Sequence, residues 1–525
     1  MAPSHERPHP PPLSFKQAVK KVMKNEHESR AHQLFRAYPG HDRVGIQRDG
    51  VRDHPDEDTM PGIVSPGATG VIYCSDRAMA NGFKYGDPAW ANLGQGAPEV
   101  GPLPDAPSRP DTFTFPEDSF EYAPTTGIKD LREAVAKLYN ETYRKGMSSQ
   151  YAADNVCIVP GGRAGLSRVA AVIGDVYTGY QIPDYSAYSE MLGVFKRLVP
   201  IPTALKAANK YSMNLQQTKE DISNQGLQVI LASNPRNPTG QAIKGDELKE
   251  LVELSRGKTT VILDEFYSWY LYPEPGKENE FEFGECLSAA KYIDDVNKEH
   301  VVIIDGLTKN WRLPGFRVCW VMGPKPLITA LSQSGSFLDG GANHPLQLAA
   351  IPLLDPDHVH KERIALQKHF LAKRDHVLNR LEKMKLKVSV PPIATFYIWL
   401  DLSDLPAPLD NGLTFFEELL KEKTICVPGI FFDLNPAHRR DLFASPCHHF
   451  VRLSFGPPLD QLDKGLDAIE RVLSKANNEG MNGIGTDYPL SPTMRKIPEW
   501  AEEKGEEAEE AEAGLRSLVQ KITGL

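Results

Sequence analysis

From about residue 120 onward the chain alternates between short, unbroken apolar runs and segments whose apolar positions recur every three to four residues. IKDLREAVAKLY (128–139) puts Leu131, Ala134, Val135 and Leu138 on one face, which predicts a helix. NVCIVPGG (155–162), GLQVILASN (226–234), TTVILDEF (259–266) and HVVIIDGLTK (300–309) are strand-length runs with nearly continuous apolar centres. Strands of that kind, separated by helical segments, predict a mainly parallel sheet covered by helices on both faces. Residues 357–384 read as one long amphipathic helix. After it the pattern changes to alternating apolar and polar positions in LKVSV (386–390), TFYIWLDL (395–402) and FVRLSFG (450–456), which predicts a second, smaller α+β domain.

These shifts divide the chain into an N-terminal extension, partly loop (1–80), a segment joining the small domain (81–120), a large domain (121–370), a small domain (371–477) and an acidic tail (478–525). The extension opens Pro/His-rich, then offers a basic amphipathic helix over 15–35, followed by Gly/Asp/Pro-rich loop. That helix reads as an arm packed on the body, with contact to a partner as the alternative. A short C-terminal helix is predicted over 514–525.

Charge changes the picture little. The net charge is −10, and the tail segment AEEKGEEAEEAE (501–512), with seven Glu and one Lys, supplies −6 of it. The body is therefore nearly neutral, which argues against nucleic acid and against attraction to membrane surfaces. No apolar run approaches membrane-spanning length and the N-terminus has no secretory pattern, so a cytoplasmic protein is expected. The six cysteines are scattered, without CxxC pairs or metal-ligand spacing, and are expected as free, mostly buried thiols, with no metal site.

Ligands of α/β sheets gather at the carboxyl ends of the strands, and the polar residues that end these runs are unusual. VPGGRAGLSR (159–168) combines two glycines with a helix start, and suits either a tight turn or an anion held by the N–H groups of Arg163 and Ala164. SNPRNPTG (233–240) suits a Pro-rich turn, or a fixed hydrogen-bonding position for Asn237. Asp264 ends an apolar strand, where a carboxylate is costly without a partner, so it is either half of an ion pair or a functional group. IIDGLTKNWRLPGFRVCW (303–320) sets Lys309 and Arg317 between apolar flanks, and unpaired charges there need a reason.

In this order the motifs resemble the aspartate aminotransferase family, enzymes of class I/II aminotransferase type with pyridoxal phosphate and fold-type I architecture: a large domain with a mainly parallel central sheet flanked by helices, plus a smaller α+β domain. The resemblance runs from about Asn92 to about Pro457. It implies that Lys309 is the lysine joined to the cofactor aldehyde as a Schiff base. Asp264 matches the partner of the pyridine nitrogen, and Tyr267 and Asn237 match the groups that hydrogen-bond the ring oxygen. Arg317, Thr308 and the backbone at Arg163 and Ala164 match the phosphate ligands, and Tyr185 the aromatic residue on the ring face. Arg452, otherwise a surface strand arginine, matches the clamp on the substrate α-carboxylate, with Gly96 beside it. Tyr122 matches a tyrosine that reaches the neighbouring subunit's cofactor, which implies a homodimer with shared sites.

The chain departs from the family at Gly306, where a hydroxyl residue is usual, and at Arg163, where a small residue is usual. The resemblance implies transfer of an amino group between an amino acid and a 2-oxo acid by a ping-pong route, with Lys309, Asp264 and Tyr267 as the catalytic residues. A carbon–sulfur lyase or an aminocyclopropane-carboxylate synthase-like enzyme would keep the same residues. A non-catalytic regulator would add a DNA-binding helical unit, and the extension shows no helix-turn-helix. Tyr267, Trp269 and Tyr270 hint at a bulky or apolar substrate.

Overall fold

The computed structural model describes residues 29–38 and 70–490, apart from positions 196, 439, 441, 443, 444, 480–483, 486 and 487. A two-stranded parallel pair joins β1 (Ala91–Asn92) to β10 (Thr424–Ile425). The central sheet takes β2 (Val156–Val159), β3 (Tyr177–Ile182), β4 (Val199–Ala204), β5 (Leu227–Ser233), β6 (Thr260–Asp264), β7 (Val301–Gly306) and β8 (Cys319–Met322) in the order β2-β8-β7-β6-β5-β3-β4. The third sheet is antiparallel, β11 (Val427–Pro428), β12 (Phe450–Ser454) and β9 (Tyr397–Asp401).

The four runs singled out in the sequence are β2, β5, β6 and β7, and every residue of β2, β7 and β8 is buried. The sheet is mainly parallel, as expected; the exception is β8, which runs antiparallel to both neighbours, β2 and β7. At the far edge, β4 carries Pro200 and Pro202, which have no N–H to offer an incoming strand and so blunt the edge. The pairings Ser233↔Asp264 and Asp264↔Ile304 align the carboxyl ends of β5, β6 and β7 along one edge.

The helix over Lys129–Tyr143 buries Leu131, Val135, Leu138 and Tyr139, as its spacing predicts. The long helix spans Pro356–Lys383, started by Pro356 at its first position and by Asp355, whose side chain accepts from His358 N at 2.9 Å. It crosses the position chosen to divide the two domains. LKVSV forms no strand, although Leu386 is buried and Lys387 and Ser389 are exposed; Lys385, at φ 62°, turns the chain just before it, Ser389 and Val390 bend, and among the described residues no ladder partner lies beside it.

The extension contributes helices Arg30–Ala37 and Gly70–Ala80. The second falls where loop was expected; its Tyr73 packs with Phe35, Tyr38 and Phe431, ring centroids 5.0–6.0 Å apart, and Arg77 is paired with Glu417 at 2.7 Å. Of the basic helix expected over 15–35 only the end is described, and the expected C-terminal helix lies outside the described residues. All six cysteines are free, five of them buried. No helix among the described residues is long and apolar enough to cross a membrane.

Candidate active site

A cavity of about 340 Å³ opens at the carboxyl edge of β5, β6 and β7, against the small domain. Gly96, Arg163, Tyr185, Asn237, Asp264, Tyr267, Thr308, Lys309, Arg317 and Arg452 all line it, so residues spread over more than 350 positions meet in one place. Ala164 sits one residue further into the adjoining helix. Tyr122 is not brought there: it is 95% exposed on the surface of the chain. Of the three aromatic residues that hint at a bulky or apolar substrate, Tyr267 lines the cavity, whereas Trp269 and Tyr270 do not. Trp269 packs against Trp311, and the Tyr270 hydroxyl donates to Lys309 O at 2.8 Å.

At one end, Gly161 (φ 104°) starts the helix Gly162–Val172. The first bond of that helix runs from Gly165 N to Gly161 O, leaving the N–H groups of residues 162–164 outside its ladder, where an anion is favoured. A Cβ on Gly161 would collide with the Arg317 guanidinium, and one on Gly162 would meet the Phe266 ring. Both glycines are therefore needed for the close approach. Arg317 has φ 53°, in the left-handed region, and is exposed, its Nη1 donating to Pro314 O at 3.0 Å. The hydroxyl of Thr308 lies 3.2 Å from Cys319 Sγ.

Gly306 does not face the cavity. It pairs with Cys319 across β7 and β8, and a Cβ there would lie 2.5 Å from Cys319 Cα. The missing hydroxyl is thus explained by a strand that comes too close for any side chain.

In the middle stand Lys309 and Asp264. Lys309 Nζ donates to Gly96 O, and burial, helped by the Arg452 and Arg163 charges, brings its pKa down to about 7. Asp264 has no cationic hydrogen-bond partner; it accepts from the Tyr188 hydroxyl at 2.7 Å, and burial pushes it up to about 6. Tyr188, on the helix Ala187–Val194, gave no signal in the sequence. The Tyr267 and Tyr397 hydroxyls are 2.9 Å apart, and Tyr397 lines the cavity although the sequence did not single it out.

At the small-domain end, Arg452 of β12 is buried. Its Nη1 donates to Asn237 Oδ1 at 3.0 Å and its Nη2 to Gly94 O at 2.8 Å, while Nε has no partner among the described residues. The guanidinium is held between the Tyr397 and Phe432 rings, 4.2 and 5.0 Å from their centroids. A guanidinium so fixed, with a donor to spare, suits a carboxylate.

The residue set fits pyridoxal phosphate by its chemistry. The glycine cradle, free helix N–H groups, Thr308 and Arg317 suit a phosphate; Asp264 is buried with no cationic hydrogen-bond partner among the described residues; and Lys309, brought down to about 7, offers the free amine that attack on an aldehyde requires.

The family model "Aminotransferase class I and II" matches residues 88–469. The chain belongs to this family. An aminotransferase transfers amino groups, and this family works with pyridoxal phosphate. Among curated relatives, an aspartate aminotransferase of Thermotoga maritima is 26% identical over 73% of this chain and 91% of its own length. A probable aspartate/prephenate aminotransferase of Aquifex aeolicus is 26% identical over 68% of this chain and 85% of its own. Among solved structures, a single mutant of Thermus thermophilus aspartate aminotransferase superposes with TM-score 0.61 at 21% identity, over 77% of this chain and 97% of that one. That likeness establishes the fold-type I architecture of this aminotransferase. Both aromatic helices of its extension lie before the matched region.

Proposed function

We propose that the chain binds pyridoxal phosphate and moves an amino group between an amino acid and a 2-oxo acid in two half-reactions, with Lys309 as the group that takes up and returns the α-proton. One observation carries the reading: a lysine whose pKa is brought down to about 7 stands at the same sheet edge as a buried aspartate, with a phosphate cradle on one side and a fixed guanidinium on the other. The bound cofactor supplies an electron sink for the pair left when the α-proton departs.

The residues divide that work. Arg452 fixes the α-carboxylate and so orients the Cα–H bond; Lys309, with its amine free near pH 7, accepts the proton and redelivers it. Asp264 holds a proton on the ring nitrogen by its negative charge, and Tyr188 keeps that carboxylate oriented. Tyr267 and the Asn237 amide, whose oxygen is already engaged by Arg452, donate to the ring oxygen. Tyr185 covers one face.

Tyr122, exposed and away from its own cavity, supports a homodimer in which it serves the partner's site. The working location proposed is the cytoplasm.

The test is purification with pyridoxal phosphate, a visible absorption band, and a screen of amino acids against 2-oxo acids. A band with amino transfer that Lys309→Ala abolishes is expected. No band sinks the reading, and release of ammonia with no amino transfer favours a lyase.

A further inference from the structure

Behind the cavity wall lies a carboxylate that none of these roles uses. Asp184 follows the end of β3, is 1% exposed and does not line the cavity. Its Oδ1 accepts from Tyr185 N at 2.7 Å and from the Ser233 hydroxyl, and its Oδ2 from Ser233 N at 3.4 Å. Ser233 Oγ in turn accepts from Asn237 N at 3.3 Å, and Asn237 Oδ1 takes the Nη1 donor of Arg452 at 3.0 Å. The chain of bonds therefore runs Tyr185, Asp184, Ser233, Asn237, Arg452. It joins the aromatic wall, the ring-oxygen donor and the carboxylate clamp, which sit on three separate segments. The backbone adds a second tie, from Asp184 N to Phe432 O at 3.2 Å, and the Phe432 ring is one of the two that hold Arg452.

The local charges suit such a post. Arg236, also buried, lies close enough to oppose the upward push of burial on Asp184, yet its Nη atoms have no hydrogen-bond partner among the described residues. The carboxylate is thus left to the three donors from Tyr185 and Ser233. Buried polar networks of this kind fix one geometry when every member is satisfied, and loosen when one is removed.

We propose that Asp184 is a positioning residue: through Ser233 it sets the Tyr185 ring and the Asn237 amide against each other, and through Asn237 it presets Arg452 for the substrate carboxylate. This rests on the aminotransferase reading. Removing Asp184 then loosens both arms, whereas removing the Ser233 hydroxyl loosens only the Asn237 arm.

The test compares the cofactor-loaded wild type with Asp184→Ala, Asp184→Asn and Ser233→Ala. Three quantities are read: KM for the amino donor, the cofactor dissociation constant, and visible circular dichroism per bound cofactor, which reports how the ring is held. For Asp184→Ala, KM and the dissociation constant rise about tenfold, the scale of one or two lost hydrogen bonds, and the dichroism per bound cofactor changes. Asp184→Asn, which keeps an acceptor oxygen, recovers most of this. Ser233→Ala raises KM while leaving the dichroism near wild type. A residue that serves only folding would lower the melting midpoint and the bound fraction, with KM and dichroism per bound cofactor unmoved; that result overturns the proposal. If Asp184→Ala does not fold, Ser233→Ala decides, and an unchanged KM overturns it. A wild-type band with unmoved variants removes this inference alone, whereas a wild type without any band removes the aminotransferase reading with it.

Discussion

Gly306→Ser restores the hydroxyl usual in the family, and the structure predicts that the chain is harmed by it. The new Cβ would lie 2.5 Å from Cys319 Cα and 2.6 Å from its Cβ and Sγ. Carbon atoms rest about 3.5–4.0 Å apart, so the strands must part by roughly 1 Å. The obstacle is main chain on β8, locked between β2 and β7, so no rotamer change relieves it. Overpacking of this kind costs about 1–3 kcal/mol, and a backbone obstacle argues for the upper end. That is roughly a 5- to 150-fold rise in the unfolded fraction. Urea unfolding followed by intrinsic fluorescence should show a lower midpoint at unchanged slope. Cys319→Gly in the same chain should recover only part of the loss, because the Cα clash remains. Cofactor affinity should not improve, since the added side chain points at β8 and not into the cavity. Wild-type stability together with tighter cofactor binding would refute the packing argument.

Other tests use the charged groups. Lys309 has a folded pKa near 7 and an unfolded one near 10.5, so the unfolded chain holds more protons between those values and stability rises with pH across that window. Lys309→Met should therefore raise the melting midpoint of the cofactor-free protein at pH 7, with a gain that shrinks toward pH 9; equal midpoints at both pH values would contradict the assignment. Asp264 must be ionised to pair with a protonated ring nitrogen, so cofactor affinity should fall as pH drops through about 6. Tyr188→Phe removes a donor that lowers this pKa and should move the fall to higher pH, at a stability cost of about 1 kcal/mol. Arg452→Lys replaces a fixed, multidentate donor by a point charge and should raise KM for the amino donor tenfold or more, about 1.5–3 kcal/mol, while cofactor affinity changes far less.

Residues whose type conflicts with their neighbours were legible in the sequence. Asp264 after an apolar strand, the Gly161–Gly162 pair before a helix and Lys309 past a buried run each break a local rule, and Asp264, Gly162 and Lys309 line the cavity. Tyr188, Tyr397 and Asp184 break none. Their importance comes from contacts made across the fold, 76 residues away for Tyr188 with Asp264 and 130 for Tyr397 with Tyr267, and no local pattern records such a meeting. LKVSV fails for the complementary reason: its alternation is real, but a strand also needs a neighbour, and the described residues provide none there.

The direction of β8 was equally hidden, because a strand buried on both faces reads the same whichever way it runs. That reversal accounts for the segment with the two stray charges. Residues 307–318 do not cross to a distant strand; they turn back, so that Cys319 lies opposite Gly306. Lys309 and Arg317 therefore leave and re-enter the sheet at the same edge, although eight positions separate them. With β8 antiparallel, Arg317 reaches the Gly161 cradle in its left-handed conformation while Lys309 stays beside Asp264. The same approach of the two strands excludes a side chain at residue 306. The absent hydroxyl and the paired charges are thus two results of one strand direction, and a residue larger than glycine at 306 should disturb Arg317 and Thr308 as well as the sheet.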